Sequence, residues 1–188
     1  MRKIEFEKEA NDQKYFPRLQ KLEQCTKAIH KAKGIPNEYY TKIECFDLER
    51  DILFNKGWFA VGFVKDLPQI GSVKPVNYFK NPLLLIRSSQ DKKIRVFQNV
   101  CRHRGMTLIE KPTVLKGAIR CSYHSWCYKQ TGEVVATPHI GGAGYNYHSD
   151  IDKSELSLIE VRSHIWRDVI FVNPCLLYTS PSPRDDEL

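Results

Sequence analysis

The chain has 188 residues, of which 41% are hydrophobic and 27% are charged, and its formal net charge at pH 7 is +7. This length fits one domain with an appendage, and the apolar fraction excludes a largely disordered protein. No apolar run approaches the ~18 residues that a membrane span needs, and the start of the chain lacks the apolar core of a secretory signal. We therefore expect a soluble, cytoplasmic protein without membrane contact.

Residues 1–55 are predicted to form a helical N-terminal segment. Leu19, Leu22 and Ile29 recur at helical spacing within residues 18–34, where Gly34 supplies a stop. A second helix is predicted over residues 41–57. Its inward-facing side chains are expected to be Ile43, Phe46, Ile52 and Leu53.

Residues 56–174 are predicted to be mainly β. From Trp58 the sequence contains eight short runs that are rich in β-branched and aromatic residues and bounded by turn residues. The runs are WFAVGFV, NPLLLIRSS, KIRVFQNV, AIRC, WCYK, EVVAT, SLIEVRS and VIFVN. Hairpin loops are predicted at residues 88–92 and 129–132. This pattern indicates an all-β sandwich or barrel.

Residues 175–188 are predicted to be an unstructured tail, because they lack a helical or strand period and end in Ser, Pro and Asp. The stretch LLYTSPSPRD also resembles translated adapter sequence. The tail is therefore either a loose native end or not native sequence, in which case the natural protein continues differently past Pro174.

Two short segments each carry one Cys and one His. Cys101 and His103 form C-x-H, and Cys121 and His124 form C-x2-H, with seventeen residues between His103 and Cys121. A single structural zinc usually has the spacing C-x2–4-C with H-x3–5-H, whereas here each segment mixes its ligand types. A binuclear [2Fe–2S] cluster explains the spacing better, with two Cys on one iron and two His on the other.

The segments CRHRG and CSYHSW resemble the Rieske motif of the oxygenase alpha-subunit family, which includes aromatic-ring-hydroxylating dioxygenases and choline- and carnitine-type monooxygenases. The flanking stretches GWFAVGFVKDLPQIG and LIEVRSHIWRDVIFVNP are similar to the beginning and end of the family's Rieske domain. The resemblance covers about residues 39–174. Ser122 and Ser125 stand where the family more often has Pro and Gly.

The resemblance implies a Rieske [2Fe–2S] β-sandwich domain, with Cys101 and Cys121 on the inner iron and His103 and His124 on the outer one. It also implies an oxidoreductase, the electron-transfer part of a mono- or dioxygenase. The mononuclear Fe(II) of such an oxygenase would lie in a following catalytic domain that this chain lacks. No catalytic residue is expected within the chain.

The same resemblance implies partners. Electrons would come from an acidic ferredoxin or a reductase, and the complete protein would be a homo-oligomer, usually a trimer. Two alternatives remain open: a stand-alone Rieske ferredoxin-like carrier and a zinc-stabilised binding module. Free Rieske ferredoxins are usually shorter and lack the helical segment.

Respiratory Rieske proteins carry a second Cys in each loop and a Ser two residues after the second His. Here those positions hold Met106, Tyr123 and Trp126. Fewer hydrogen-bond donors to the sulfurs predict a reduction potential in the lower part of the ~−150 to +300 mV Rieske range.

Positive charge is concentrated in residues 91–133, which contain nine Lys and Arg residues and only three Asp and Glu residues. Such a patch either steers an acidic electron donor or is an ordinary solvated surface. Nucleic acid is not an expected partner, because no aromatic-basic recognition motif accompanies the charge.

Three further features each have two interpretations. A Gly-rich stretch offers the only local candidates for a second metal site, and is otherwise an exposed loop; its candidates are His139, His148, Asp150 and Asp152. Trp126 is either a core aromatic or a shield for the cluster. Cys127 lies outside the ligand spacing and is expected to be a buried strand cysteine.

Overall fold

The computed structural model describes residues 21–174. The chain divides between Asn55 and Lys56 into two compact units. The predicted tail and the predicted helical position of Leu19 lie outside the described residues. Within the described part, no helix is both long and apolar enough to cross a membrane.

The N-terminal unit contains short helices. A 3-10 turn spans Glu23–Thr26, helix α1 spans Glu38–Thr41, and helix α2 spans Ile43–Glu49 and continues as a π turn over Arg50–Phe54. The prediction of one helix over residues 18–34 is therefore wrong beyond Thr26. Ile29 is 96% exposed, so no apolar contact stabilises a helix at that point.

The second helix is confirmed, but its inward face was predicted wrongly. The buried side chains are Cys45 and Leu48, at 1% and 5% exposure. Ile43, Phe46 and Leu53 are exposed, and the side chain of Ile52 is outside the described set. Since Cys45 and Leu48 have the same i, i+3 spacing as Ile43 and Phe46, periodicity alone cannot select between the two stripes.

Within residues 56–174, the second unit has ten strands in three antiparallel sheets. The first sheet has the order β1-β10-β9, the second β4-β3-β2-β5 and the third β6-β7-β8. The strands are β1 Phe59–Phe63, β2 Ser72–Tyr78, β3 Asn81–Arg87, β4 Ile94–Gln98, β5 Thr113–Val114, β6 Ile119–Arg120, β7 Cys127–Tyr128, β8 Val134–Ala136, β9 Arg162–Trp166 and β10 Val169–Asn173. The predicted mainly β fold class is confirmed.

Most predicted runs contain a strand, and both predicted hairpin loops join paired strands, β3 with β4 and β7 with β8. The run SLIEVRS overlaps β9 only at its end. Its earlier part lies beside β4, where Gln98 donates to the Ile159 carbonyl and Val161 donates to the Val96 carbonyl. These residues are extended without forming a regular ladder.

Strand β2 was not among the predicted runs. It contains Pro75, which lacks a backbone donor and is unusual inside a strand. The structure accommodates this proline through a short neighbour. Strand β5 pairs with β2 only at Ser72 and Val73, so the rest of that side of β2 is an edge. Pro75 faces Leu84 on the other side, within the ladder with β3.

The core of this unit lies among the second and third sheets and the loops that follow their strands. Cys101, Cys121 and Trp126 belong to the same buried cluster as Leu84, Phe97 and other strand residues. The loops with the Cys-His segments are therefore anchored in the core by their cysteines.

Candidate metal centre

Two six-residue loops with the same backbone hydrogen bonds carry the four candidate ligands. In the first loop, the Cys101 N–H donates to the Met106 carbonyl at 2.7 Å, and the Gly105 N–H donates to the Cys101 carbonyl at 3.0 Å. In the second loop, the Cys121 N–H donates to the Trp126 carbonyl at 2.8 Å, and the Ser125 N–H donates to the Cys121 carbonyl at 3.1 Å. The first loop follows β4 and the second follows β6, so each is held by a strand.

The two cysteines lie in the interior. Cys101 and Cys121 are each 2% exposed and belong to the same buried cluster. The Tyr128 hydroxyl lies 3.3 Å from Cys101 Sγ and accepts the Arg102 N–H at 3.0 Å. Since the phenolic oxygen is already an acceptor from Arg102, its own proton is available for the Cys101 sulfur.

The two histidines lie closer to the surface than the cysteines. The ring centroids of His103 and His124 are 4.7 Å apart and meet edge to face, at 76°. Nδ1 of His124 is buried and has no hydrogen-bond partner. A buried, unpaired ring nitrogen is costly in an empty site but is the expected state of a metal ligand.

Burial and neighbouring charge determine which protonation states the site favours. Burial lowers the pKa of His103, and its electrostatic interactions with His124 and Arg104 lower it further. The neutral imidazole, the form that binds metal, is thereby favoured. Burial raises the pKa of the Cys101 thiol, an effect that a bound cation reverses because it stabilises the thiolate.

The arrangement fits a binuclear group better than a single ion. The centre offers two cysteines in the buried core and two partly exposed histidines whose rings contact each other. A structural zinc needs four converging ligands, whereas a Rieske [2Fe–2S] cluster needs two ligands on each of two irons.

The Gly-rich stretch does not assemble a second metal site within the described residues. Nδ1 of His139 accepts the Gly144 N–H at 2.9 Å, and Nδ1 of His148 accepts the Asp150 N–H at 3.3 Å. The Asp152 carboxylate accepts from Ser154. These groups close local turns, which is the exposed-loop interpretation.

Three arginines near the two loops have no carboxylate partner among the described residues: Arg102, Arg104 and Arg120. All three are exposed. Two other cations of the basic region are neutralised, Arg95 by Asp91 and Lys129 by Glu133. Three unpaired cations of the basic region therefore lie within or directly beside the candidate ligand loops.

Sequence reasoning missed Tyr128 and left the role of Trp126 open. Trp126 is 3% exposed, and its ring stacks on His103 with centroids 4.7 Å apart and planes at 12°. Tyr128 lies two residues further along the chain, in β7. The alternation of a strand, counted from the ligand loop, could have identified both as inward-facing. Cys127 between them is half-buried, and its Sγ donates to the Ser125 carbonyl.

The chain is similar to alpha subunits of bacterial oxygenases. It is 31% identical over 140 residues to 2-aminobenzenesulfonate 2,3-dioxygenase subunit alpha from Alcaligenes sp., covering 74% of this chain and 34% of that protein. It is 30% identical over 157 residues to the glycine betaine monooxygenase oxygenase subunit from Pseudomonas aeruginosa, covering 82% of this chain and 34% of that protein. The chain thus spans about a third of the length of these relatives.

Solved structures agree with these relatives. The quaternary ammonium Rieske monooxygenase CntA with its substrate gamma-butyrobetaine matches with a TM-score of 0.68 and 26% identity, over 77% of this chain and 40% of that one. Naphthalene 1,2-dioxygenase with bound indole matches with a TM-score of 0.63 and 27% identity, over 78% of this chain and 32% of that one.

A family model described as the Rieske [2Fe–2S] domain matches residues 57–157, more than half of the chain. The matched region contains both ligand loops and the strands that hold them. A domain of this kind implies a [2Fe–2S] cluster, in agreement with the paired thiols and imidazoles. The chain belongs to the Rieske [2Fe–2S] domain family, and its relatives are oxygenase alpha subunits.

Proposed function

We propose that this chain is the electron-transfer part of a Rieske oxygenase alpha subunit. Cys101 and Cys121 would hold one iron, and His103 and His124 the other. When bound, the [2Fe–2S] cluster accepts and releases one electron at a time. The observation that carries the proposal is the separation of the ligands into a buried thiol pair and a more exposed imidazole pair.

The buried pair and the exposed pair have different tasks. Cys101 and Cys121 would fix the group to the core and shield it from water, because both belong to the buried cluster of the β unit. His103 and His124 are partly exposed, so a partner can approach the imidazole side closely. Electron transfer into and out of the domain is therefore proposed to pass through the two imidazoles.

The electron donor is proposed to be an acidic ferredoxin or reductase domain. Arg102 and Arg104 lie in the first loop and Arg120 directly precedes the second, and no carboxylate neutralises them within the described residues. Positive charge around an exposed redox centre increases the rate of encounter with an acidic partner, and salt weakens the effect.

The acceptor is proposed to be a mononuclear iron held by two His and one carboxylate. The relatives are about three times as long as the matched part of this chain, and the described residues hold no site for such an ion. In the complete protein, the electron is proposed to cross to a neighbouring subunit of a trimer. A D/E-x2-H-x4–5-H motif in the natural coding sequence would support the oxygenase over a stand-alone carrier.

Rapid-mixing measurements of cluster reduction by an acidic ferredoxin test the proposed role. Arg102→Glu with Arg104→Glu should slow the second-order reduction rate at low salt by at least about tenfold, and rising salt should remove the difference. Lys129→Glu is the matched control, because Lys129 is already paired with Glu133, and it should change the rate little. Equal slowing by the control would show that net charge matters and a docking site at the loops does not.

A further inference from the structure

We infer that Trp126 is a positioning residue that fixes the imidazole of His103, so that the second loop of the centre orients a ligand carried by the first. The inference rests on the proposed ligation by His103 and goes beyond it. It concerns what holds that ring, which neither the ligand spacing nor the family assignment determines.

The two loops place different side chains at equivalent backbone positions. Met106 and Trp126 each accept, through the main-chain carbonyl, the N–H of the cysteine that opens the loop. Their side chains nevertheless have opposite environments, since Met106 is 36% exposed and Trp126 is 3% exposed. The backbone of the loop therefore does not require a buried indole at this position, and the indole has another task.

The indole crosses from its own loop to the other. Its ring lies nearly parallel to His103, with centroids 4.7 Å apart and planes at 12°. A stacked pair of this kind contributes about 0.5–1.5 kcal/mol beyond its buried area and resists tilting of either ring. The ring of His124, from the same loop as Trp126, meets His103 edge to face. His103 is thus held by aromatic contacts with the opposite loop.

The indole is itself held in place. Its Nε1–H donates to the Pro138 carbonyl at 3.3 Å, and its ring belongs to the buried cluster that contains Cys101 and Cys121. The nitrogen end of the indole is hydrogen-bonded to the segment after β8, and one face of the ring stacks on His103. The orientation of His103 therefore depends on two segments distant from it in sequence.

The ring contacts of His103 within residues 21–174 are aromatic. A ligating histidine almost always directs its second ring nitrogen to a carboxylate, a carbonyl or water, and this contact fixes the ring. Within residues 21–174, no hydrogen bond of a His103 ring nitrogen is found, and its recorded ring contacts are those with His124 and Trp126. Stacking on Trp126 is the contact by which this chain itself orients the ring.

The test uses the full chain with its cluster and ¹⁵N-labelled histidine. Pulsed EPR of the reduced protein resolves the nitrogen couplings of the two imidazoles. Trp126→Leu should broaden one set of couplings and leave the other sharp, with unchanged iron and sulfide content. Trp126→Phe retains an aromatic face and should keep both sets sharp. Met106→Leu, the matched position of the other loop, should have no effect.

Three results would overturn the inference. The first is that both sets of couplings stay sharp in Trp126→Leu, and the second is that both broaden equally, which would indicate general loosening of the centre. The third is that Trp126→Phe broadens the couplings as much as Trp126→Leu does. If Trp126→Leu does not retain its cluster, NMR of the labelled apo variant is compared with NMR of the apo wild type. A larger increase in ring mobility for His103 than for His124 supports the inference, and an equal increase for both rings contradicts it.

Failure of the proposed ligation would look different. In that case the nitrogen couplings of His103→Ala would be the same as those of the wild type. If His103→Ala removes one set of couplings while Trp126→Leu changes neither, the ligation stands and only the positioning role is wrong.

Discussion

Gly105 and Ser125 occupy equivalent positions in the two ligand loops, and both have left-handed backbone conformations, with φ of 71° and 59°. Glycine adopts this conformation without cost, whereas a residue with a Cβ is strained there. The second loop therefore has the same shape as the first with a less suitable residue. The backbone strain at Ser125 is offset in part by a hydrogen bond, because the guanidinium of Arg120 donates to Ser125 Oγ at 3.0 Å.

Ser125→Gly is expected to stabilise the apo chain by roughly 0.5–1 kcal/mol, because relief of the left-handed strain exceeds the entropy cost of glycine and the loss of an exposed hydrogen bond. Gly105→Ala should destabilise by about 1 kcal/mol. An added Cβ at Gly105 meets no atom within 4 Å, so this change isolates the conformational cost. Chemical denaturation measures both. If Ser125→Gly were as destabilising as Arg120→Ala, the hydrogen bond would outweigh the strain.

Tyr128→Phe is expected to lower the reduction potential of the cluster. The hydroxyl lies 3.3 Å from Cys101 Sγ, and a hydrogen bond to a ligating sulfur stabilises the reduced, more negative state. Loss of about 1 kcal/mol of that preference corresponds to roughly 40 mV for one electron. Redox titration followed by EPR measures the shift. Tyr145→Phe, on a 71% exposed side chain, is the control, and an equal shift there would exclude the proposed contact.

Asp66 is expected to contribute to stability in a pH-dependent way. A hydrogen bond from Lys74 Nζ at 2.8 Å lowers the pKa of this carboxyl, and the Phe63 N–H at 2.9 Å lowers it further. Because the folded pKa lies below the unfolded value, the contribution is present above about pH 4 and is lost as pH falls through the folded pKa. Asp66→Asn should therefore destabilise at pH 7 and differ little from wild type at pH 2.

Unfolding free energies across this pH range measure the effect of Asp66→Asn. Glu110→Gln, an exposed carboxylate without a recorded ion pair, is the matched control and should follow the wild-type curve. A constant difference between Asp66→Asn and wild type from pH 2 to pH 7 would contradict the linkage to the Asp66 proton.

We expect the 188-residue chain by itself to oxygenate no substrate, even with iron, reductant and oxygen. Oxygen activation needs a metal with open positions, and Nδ1 of His139 and Nδ1 of His148 each accept a backbone N–H of their own exposed loop instead. Oxygen uptake in the presence of gamma-butyrobetaine, glycine betaine or 2-aminobenzenesulfonate, compounds named for the similar proteins, measures this directly. Substrate-coupled uptake that His148→Ala abolishes would contradict the prediction and identify the Gly-rich loop as a second metal site.

The sequence predicted most of the strands and both hairpin loops because their signals are local. The turn residues around 88–92 and 129–132 indicate the nearby backbone conformation, and the structure has the corresponding hairpins. Strand β2 was not among the predicted runs, and its Pro75 is a residue that disfavours a strand unless the neighbouring strand is short. The contact of Trp126 with His103 joins residues from two loops, and no local pattern reports such a contact.

In the N-terminal helical unit, the sequence did not predict which side chains are buried. Ile29 and Phe46 fit an amphipathic pattern, yet both are exposed, because periodicity identifies a stripe but not the surface that it meets. Ser125 was recognised as unusual from its position in the motif. Its cost could not be assigned until the φ angle was known.

The most direct test of the account is the iron, sulfide and zinc content of the full chain purified without oxygen, measured together with EPR after reduction. The account predicts two irons and two sulfides per chain with a Rieske-type signal, lost in Cys121→Ala and kept in Cys127→Ala. One zinc without sulfide, or two irons without sulfide, would contradict it. Equal loss in Cys127→Ala and Cys121→Ala would show that the ligands are assigned wrongly.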